Sequence, residues 1–178
     1  MTEPALKLEA AKPEPLIIHP EPLIIHLEPA MDVELKHLLL GMALKRIRTF
    51  CTAYDLDAQG LNLSRAVEQD FASDEPKKFF IVLAIRPGPV VVGHLLATRD
   101  YYYGRTFCYV HQMEIDHDAG ITLAQEHGVF ALVKEWAKEI QASGIRAAAP
   151  TAAHVRRLKT FYKFEPQLTV LKLDLEKT

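Results

Sequence analysis

Apolar residues recur along the chain with two different spacings. An apolar residue at every third or fourth position predicts helices over residues 31–50 and over a long segment that ends before Gly144. Nearly continuous apolar runs predict strands over residues 79–85, 90–98 and 106–115. Shorter segments complete the set, with strands predicted at 23–27, 145–149 and 168–175 and helices at 65–72 and 151–162.

The connections between these elements indicate how the strands pair. Residues 87–89 and 100–104 are turn-like and separate three consecutive strands, which predicts antiparallel pairing. Residues 55–64 are also read as a turn, with Ser64 capping the short helix that follows. The later strand–helix–strand order adds a βαβ unit. The sequence therefore predicts an α/β (α+β) domain with a mixed, mostly antiparallel sheet flanked by helices.

The N-terminal segment differs from the rest of the chain. Six of the eleven prolines precede Met31, and the seven-residue phrase PEPLIIH occurs twice in tandem, at 13–19 and 20–26. We therefore divide the chain into an extended Pro-rich arm, 1–22, and a domain, 23–178. Residues 16–18 duplicate the first strand. They either add to a sheet edge on a protein partner or second copy, reached through residues 1–30, or form a duplicated tail.

Composition excludes several classes of protein. The chain has 178 residues, 49% of them hydrophobic, and a net charge of −2, which fits one globular domain and excludes a strongly basic nucleic-acid binder. No apolar run approaches the ~20 residues that a transmembrane helix needs, and the start lacks a secretory signal. Cys51 and Cys108 have no metal-ligand spacing, so free thiols in the cytoplasm are expected and no metal site is predicted.

The order of elements resembles the GNAT superfamily of N-acetyltransferases over residues 23–175. The segment GVFALVKEWAKEIQASGI, from Gly128, resembles the superfamily's cofactor helix. The segment HVRRLKTFYKFEP, from His154, resembles its last helix and the ending that follows. The beginning of that second segment is most similar to GNAT-like proteins of bacteriophages. The resemblance implies a GNAT-like fold and acetyl-CoA as the acyl donor.

The resemblance also implies where acetyl-CoA binds. In GNAT proteins the pyrophosphate lies on backbone N–H groups at the start of the cofactor helix, in a Q/R-x-x-G-x-G/A motif. Gln125 and Gly128 match that motif, Val129 follows, and Phe130 replaces the last small residue, where its ring would crowd a phosphate. Ile115, at the end of the third predicted long strand, completes the expected contacts.

A second register of the same motif is open. Thr122 and Gln125 form a capping box, which would start the helix near residue 123 and make residues 118–122 the anion-binding loop. Either register places a carboxylate beside the phosphates, Glu126 in the first and Asp118 in the second.

Acetyl transfer needs a base for the amine and an acid for the leaving thiolate. The resemblance points to Glu114 as the base, with His111 three residues earlier. Strict alternation would put these two side chains on opposite faces, so that only one meets the cleft. Tyr162 is the candidate acid, one turn after Lys159, which occupies the superfamily's tyrosine position. Each residue also has an ordinary interpretation, as a polar strand position or a packing aromatic.

Two functions remain open at this stage. The first is a GNAT-like N-acetyltransferase that moves an acetyl group from acetyl-CoA to an amine. The second is a catalytically silent structural or interaction protein of the same fold, in which the arm docks onto a partner, as in a bacteriophage virion. Phe130, Lys159 and Lys163, the last standing where the superfamily has glycine, favour the second. The location would be the host cytoplasm, or the virion in the second case.

Overall fold

The computed structural model describes residues 21–28, 30–73, 78–149 and 151–165. Within these ranges it has five strands and four helices. In chain order they are β1 (Leu23–His26), α1 (Val33–Ala53), α2 (Asp57–Ala72), β2 (Phe79–Arg86), β3 (Val90–Tyr102), β4 (Arg105–Ile115), α3 (Leu123–Glu139), β5 (Ile145–Ala147) and α4 (Ala152–Tyr162). The strands predicted at 16–18 and 168–175 lie outside the described residues.

The strands form one sheet in the order β1-β2-β3-β4-β5. The first four are antiparallel to their neighbours, and β5 is parallel to β4. Helices α1 and α2 cover one face through Ile47 and Val67, and α3 covers the other through Val133 and Trp136. The predicted mixed sheet with helices on both faces is confirmed. No helix in the described part of the chain is both long and apolar enough to cross a membrane.

The prediction of a turn over residues 55–64 is wrong, because residues 57–64 form the first half of α2. The chain turns sharply at Asp55, where φ is 56°, and α2 begins two residues later. Gly60 lies against α1, and Ser64 is buried within the helix and accepts a hydrogen bond from Arg48 Nε at 3.4 Å. Small and polar residues here serve a close helix–helix contact, and Ser64 is not a cap.

The predicted turn over residues 100–104 is also too long. Strand β3 runs to Tyr102 and β4 begins at Arg105, so the connection has two residues. Both have positive φ, 48° at Tyr103 and 74° at Gly104. Two such residues form the tight turn that matches the twist of a β-hairpin.

Strand β1 is held at its end and at its start. The buried Leu27, which directly follows β1, donates its backbone N–H to the Ile81 carbonyl at 2.9 Å. At the other end, Gln125 of α3 donates its side-chain amide to the Pro22 carbonyl at 3.1 Å. The second PEPLIIH copy therefore supplies β1, which confirms the strand predicted at residues 23–27. This strand lies at the edge of the sheet.

We expect Gly60→Ala to destabilise the protein by about 2 kcal/mol. A Cβ at residue 60 would lie 2.6 Å from the Cβ of Cys51, so α1 and α2 would have to separate. Gly41→Ala is the matched control. It is also helical, but a Cβ there meets nothing within 4 Å, so it should stabilise by up to about 1 kcal/mol. Urea unfolding of both variants checks the prediction, and equal effects would contradict it.

Candidate active site

An extra residue in β4 determines which side chains share a face. Leu96 pairs with Gln112 and Ala97 pairs with Val110, which leaves His111 as a bulge. His111 Nε2 lies 2.8 Å from Thr98 Oγ1, on the face of β3 that Leu96 presents to α1. Glu114 contacts α1 as well. The expectation that strand alternation separates His111 from Glu114 is therefore wrong, because the bulge restores them to one face.

A cleft opens beside this bulge. Strand β5 is only three residues long, and its pairing with β4 ends where the Ala148 N–H donates to the Val110 carbonyl at 2.9 Å. Beyond that point α4 lies against the end of β4, and His111, Arg157 and Tyr162 line the gap between them. The cavity has a volume of about 30 Å³, which is the space of about one water molecule.

Glu114 lies between two nitrogen-containing side chains. Its Oε2 is 3.0 Å from Nη2 of Arg46 on α1 and 3.5 Å from Nδ1 of His94 on β3. The side chain is 40% exposed, so its carboxylate borders solvent. His94 is buried, and burial, followed by the Arg46 charge, lowers its pKa to about 4, although the hydrogen bond that His94 Nε2 makes to Gln112 Oε1 opposes this. Near neutral pH, His94 is therefore uncharged beside the Glu114 carboxylate.

Helix α3 starts where the second predicted register of the cofactor motif places it, near residue 123. Thr122 and Gln125 form the capping box, and the helix begins at Leu123. The first register is wrong, because it requires a loop where Gly128 is already inside the helix. A helix leaves its first N–H groups without partners, and the box occupies two of them. The amides that remain for an anion are those of Leu123 and Ala124.

Two further predicted cofactor contacts also lie inside α3. Val129 is buried against the sheet. Phe130 faces α4, with its ring centroid 4.3 Å from that of Tyr162 and 5.9 Å from that of Phe164. The expectation that Phe130 crowds a phosphate is therefore wrong. Its ring is a packing contact between α3 and α4.

A buried carboxylate joins α3 to α4. Glu126 is 1% exposed, and Arg157 of α4 pairs with both of its oxygens, Nε with Oε1 at 3.0 Å and Nη2 with Oε2 at 2.5 Å. The Tyr162 hydroxyl also donates to Glu126. His117 donates Nδ1–H to the Ile121 carbonyl at 2.8 Å, so its Nε2 accepts from Arg157 Nη2, also at 2.8 Å.

These contacts shift the ionisation of the cluster. Burial raises the pKa of Glu126, but hydrogen bonds from Arg157 and Tyr162 and the nearby positive charge outweigh it, so its pKa is lowered. Burial and the neighbouring Glu126 raise the pKa of Tyr162, which stays protonated near neutral pH. Sequence reasoning missed this cluster. The available signal was a carboxylate on the same helical stripe as the buried Val129, Phe130 and Val133.

Lys159 and Lys163, the two lysines that differ from the GNAT pattern, lie at the end of α4. Lys159 is exposed on the helix. Lys163 caps the helix with φ 58° and ψ 31°, a left-handed conformation that favours glycine. The chain therefore keeps the glycine-type geometry at this position without the glycine.

No family model matches the chain, and no curated protein matches it. Solved structures do. An aminoglycoside acetyltransferase from an uncultured soil metagenomic sample is 18% identical, with a TM-score of 0.55 over 86% of this chain and 97% of that one. An acetyltransferase of Trypanosoma brucei gives 10% identity and a TM-score of 0.56 over 87% and 100%. The fold is that of the GNAT acetyltransferases.

A third GNAT structure carries a ligand. It is an aminoglycoside N-acetyltransferase in complex with CoA, 16% identical, with a TM-score of 0.52 over 85% of this chain and 97% of that one. At these identities the comparisons establish the fold. The narrower resemblance to bacteriophage proteins gains no support from them.

We expect Glu126→Gln to lower the free energy of unfolding by about 2 kcal/mol. The substitution leaves the Arg157 guanidinium without its charge partner, and partial exposure of Arg157 moderates the cost. Glu135→Gln is the control, since Glu135 pairs with Lys138 at an exposed site and should change stability by less than about 0.5 kcal/mol. Urea unfolding measures both, and an unaffected Glu126→Gln protein would refute the role assigned to this pair.

We also expect stability to fall as the pH falls from about 6.5 to about 4. Over that interval an unfolded histidine binds a proton while His94, with its pKa near 4, does not. The loss assigned to His94 is about 3 kcal/mol. His94→Gln should remove that part of the pH dependence, whereas His37→Gln, at an exposed position of α1, should retain it. Unfolding free energies measured across this range decide the matter.

Proposed function

We propose that this protein is an N-acetyltransferase that moves an acetyl group from acetyl-CoA to an amine acceptor. The observation that carries the proposal is the position of Glu114, a solvent-bordering carboxylate on β4 within a GNAT fold. A carboxylate there can remove a proton from an amine that approaches from solvent.

The proposed reaction forms a C–N bond and breaks the thioester C–S bond. Glu114 takes the proton of the attacking amine, and CoA leaves as the thiolate. Tyr162 is the proposed acid because it lines the cleft and carries a proton near neutral pH. To donate, its hydroxyl must turn away from Glu126. His111 borders the same cleft, where it would contact the acceptor or the acetyl group.

The proposed cofactor site lies between the end of β4 and the start of α3. Ile115 and Gln125 flank it, and the amides of Leu123 and Ala124 would receive the pyrophosphate, favoured by the helix dipole. Gly128, Val129 and Phe130 have no direct part in this version of the site. A space of about 30 Å³ is too small for the acyl arm of acetyl-CoA. Binding of the acyl arm in this cleft therefore requires α4 to move away from β4.

The narrow cleft also supports a second candidate function, a catalytically silent GNAT-fold interaction protein. In that case Glu126, Arg157 and Tyr162 hold α4 closed as part of the core. The Pro-rich segment within residues 1–30 would then provide the contact with a partner chain.

Titration calorimetry with acetyl-CoA, followed by an assay of CoA release with a panel of amines that includes aminoglycosides, tests the proposal. We expect binding in the micromolar range, about −8 kcal/mol. Glu114→Gln should retain binding and lose at least about 100-fold in turnover. Glu135→Gln, exposed on α3, should match the parent protein in both. Absence of binding at millimolar acetyl-CoA would reject the enzyme and favour the silent GNAT-fold protein.

A further inference from the structure

Two buried atoms face each other between β3 and β4 without a hydrogen bond. Nδ1 of His94 and Oε2 of Glu114 are 3.5 Å apart, and neither has a hydrogen-bond partner among the described residues. Arg46 Nη2 is 3.0 Å from the same Oε2, but none of its N–H bonds is aimed at that oxygen. A buried polar atom normally has a partner. This pair therefore needs an explanation.

The neighbouring amide determines which nitrogen of His94 carries the proton. Gln112 Nε2 lies 3.1 Å from Cys51 Sγ and 3.5 Å from the Ile47 carbonyl oxygen. A carbonyl requires a donor, so the amide nitrogen points toward α1 and Oε1 points toward His94. The 2.8 Å contact between Oε1 and His94 Nε2 is then a hydrogen bond donated by Nε2–H.

It follows that Nδ1 of the neutral ring is a bare acceptor. It faces a carboxylate oxygen, which is also an acceptor, at a distance longer than a hydrogen bond. Two acceptors in this arrangement have room for one proton between them. The proton resides on the ring or on the carboxyl. A charged ring is disfavoured because His94 is only 4% exposed and lies near the Arg46 cation.

We propose that His94 is a positioning residue for Glu114: when Glu114 has taken a proton, its carboxyl donates a hydrogen bond to Nδ1 of His94, which holds the neutral acid in place. Because Oε2 is buried, the amine gives its proton to Oε1, and a half-turn of the carboxyl about Cγ–Cδ then brings the proton to face Nδ1. The proton stays on Glu114, and no covalent bond to His94 is formed or broken. The protonated oxygen and Nδ1 then approach to about 2.8 Å. This proposal rests on the proposed function, in which Glu114 receives the proton of the acceptor amine.

Two other titratable side chains, Arg46 and His154, lie near the His94–Glu114 pair. Arg46, on α1, forms an ion pair with the Glu114 carboxylate. His154, on α4, interacts electrostatically with Glu114 from the cleft side. His94 is the group that favours the carboxyl after protonation. Glu114 thus has one neighbour suited to each of its two forms.

Nitrogen-15 NMR of the full chain with labelled histidine tests the pair without reference to activity. His94→Leu identifies the His94 signals. At neutral pH we expect Nε2 to be protonated and Nδ1 bare. As the pH is lowered toward 4, where the ring itself takes a proton, the Nδ1 signal should first shift toward that of a hydrogen-bonded acceptor while Nε2 keeps its proton. Glu114→Ala, at a partly exposed position, should abolish that step. A protonated Nδ1 at neutral pH, or the same step in Glu114→Ala, would overturn the proposal.

Kinetics provide the second measurement. In His94→Leu, neutral Glu114 loses its acceptor, so the acidic limb of kcat/KM should move about one pH unit lower, which is a tenfold change in proton affinity. The KM for acetyl-CoA should stay the same, and His37→Gln should leave the profile unchanged. An unmoved limb would contradict the proposal. If no amine is acetylated, the proposed function fails, and the NMR result still decides whether the Glu114 carboxyl donates a hydrogen bond to Nδ1 of His94.

Discussion

One extra residue in β4 governs the geometry of the candidate site. Without the bulge at His111, His111 and Glu114 would point to opposite faces of the sheet, and only one of them would face α1. The bulge also comes where pairing with β5 ends, so the strand diverges from its neighbour at the point where the cleft begins. Bulges re-aim side chains at the expense of ladder hydrogen bonds. Here that local disruption places His111 on the same face as Glu114, at the point where the cleft opens.

Glu126 stabilises the fold and at the same time restricts access to the cleft. Its carboxylate holds Arg157 and Tyr162, and so keeps α4 against α3. The same contacts leave little free space in the cleft and engage the hydroxyl proposed as the acid. An anion on the amides of Leu123 and Ala124, as proposed, would lie within one helical turn of Glu126, the charge partner of Arg157. The contact that holds α4 in place therefore lies close to the proposed anion site.

The sequence predicted the parts of this fold that depend on local patterns. The three consecutive antiparallel strands, the capping box at Thr122 and the mixed sheet all follow from spacing and turn chemistry. Features that depend on contacts between distant segments were not predictable in this way. Gly60 and Ser64 have turn-like composition, and only the packing of α2 on α1 makes them helical. The bulge is not evident from the alternation of β4, because consecutive apolar or aromatic residues such as Cys108, Tyr109 and Val110 occupy both faces of the strand. Glu126 meets Arg157 across 31 residues of chain.

Two segments of this chain contain the sequence of strand β1, so that sequence alone does not determine which of them forms the strand. Residues 13–19 and 20–26 have the same sequence, so the four residues that pair with β2 do not distinguish one copy from the other. Leu27 does, since it follows only the second copy and is buried. Removing either copy would yield one and the same polypeptide, with Leu27 still directly after the strand. The duplication therefore lengthens the arm by seven residues and leaves the domain's own sequence intact, which frees the first copy to diverge without altering the sheet.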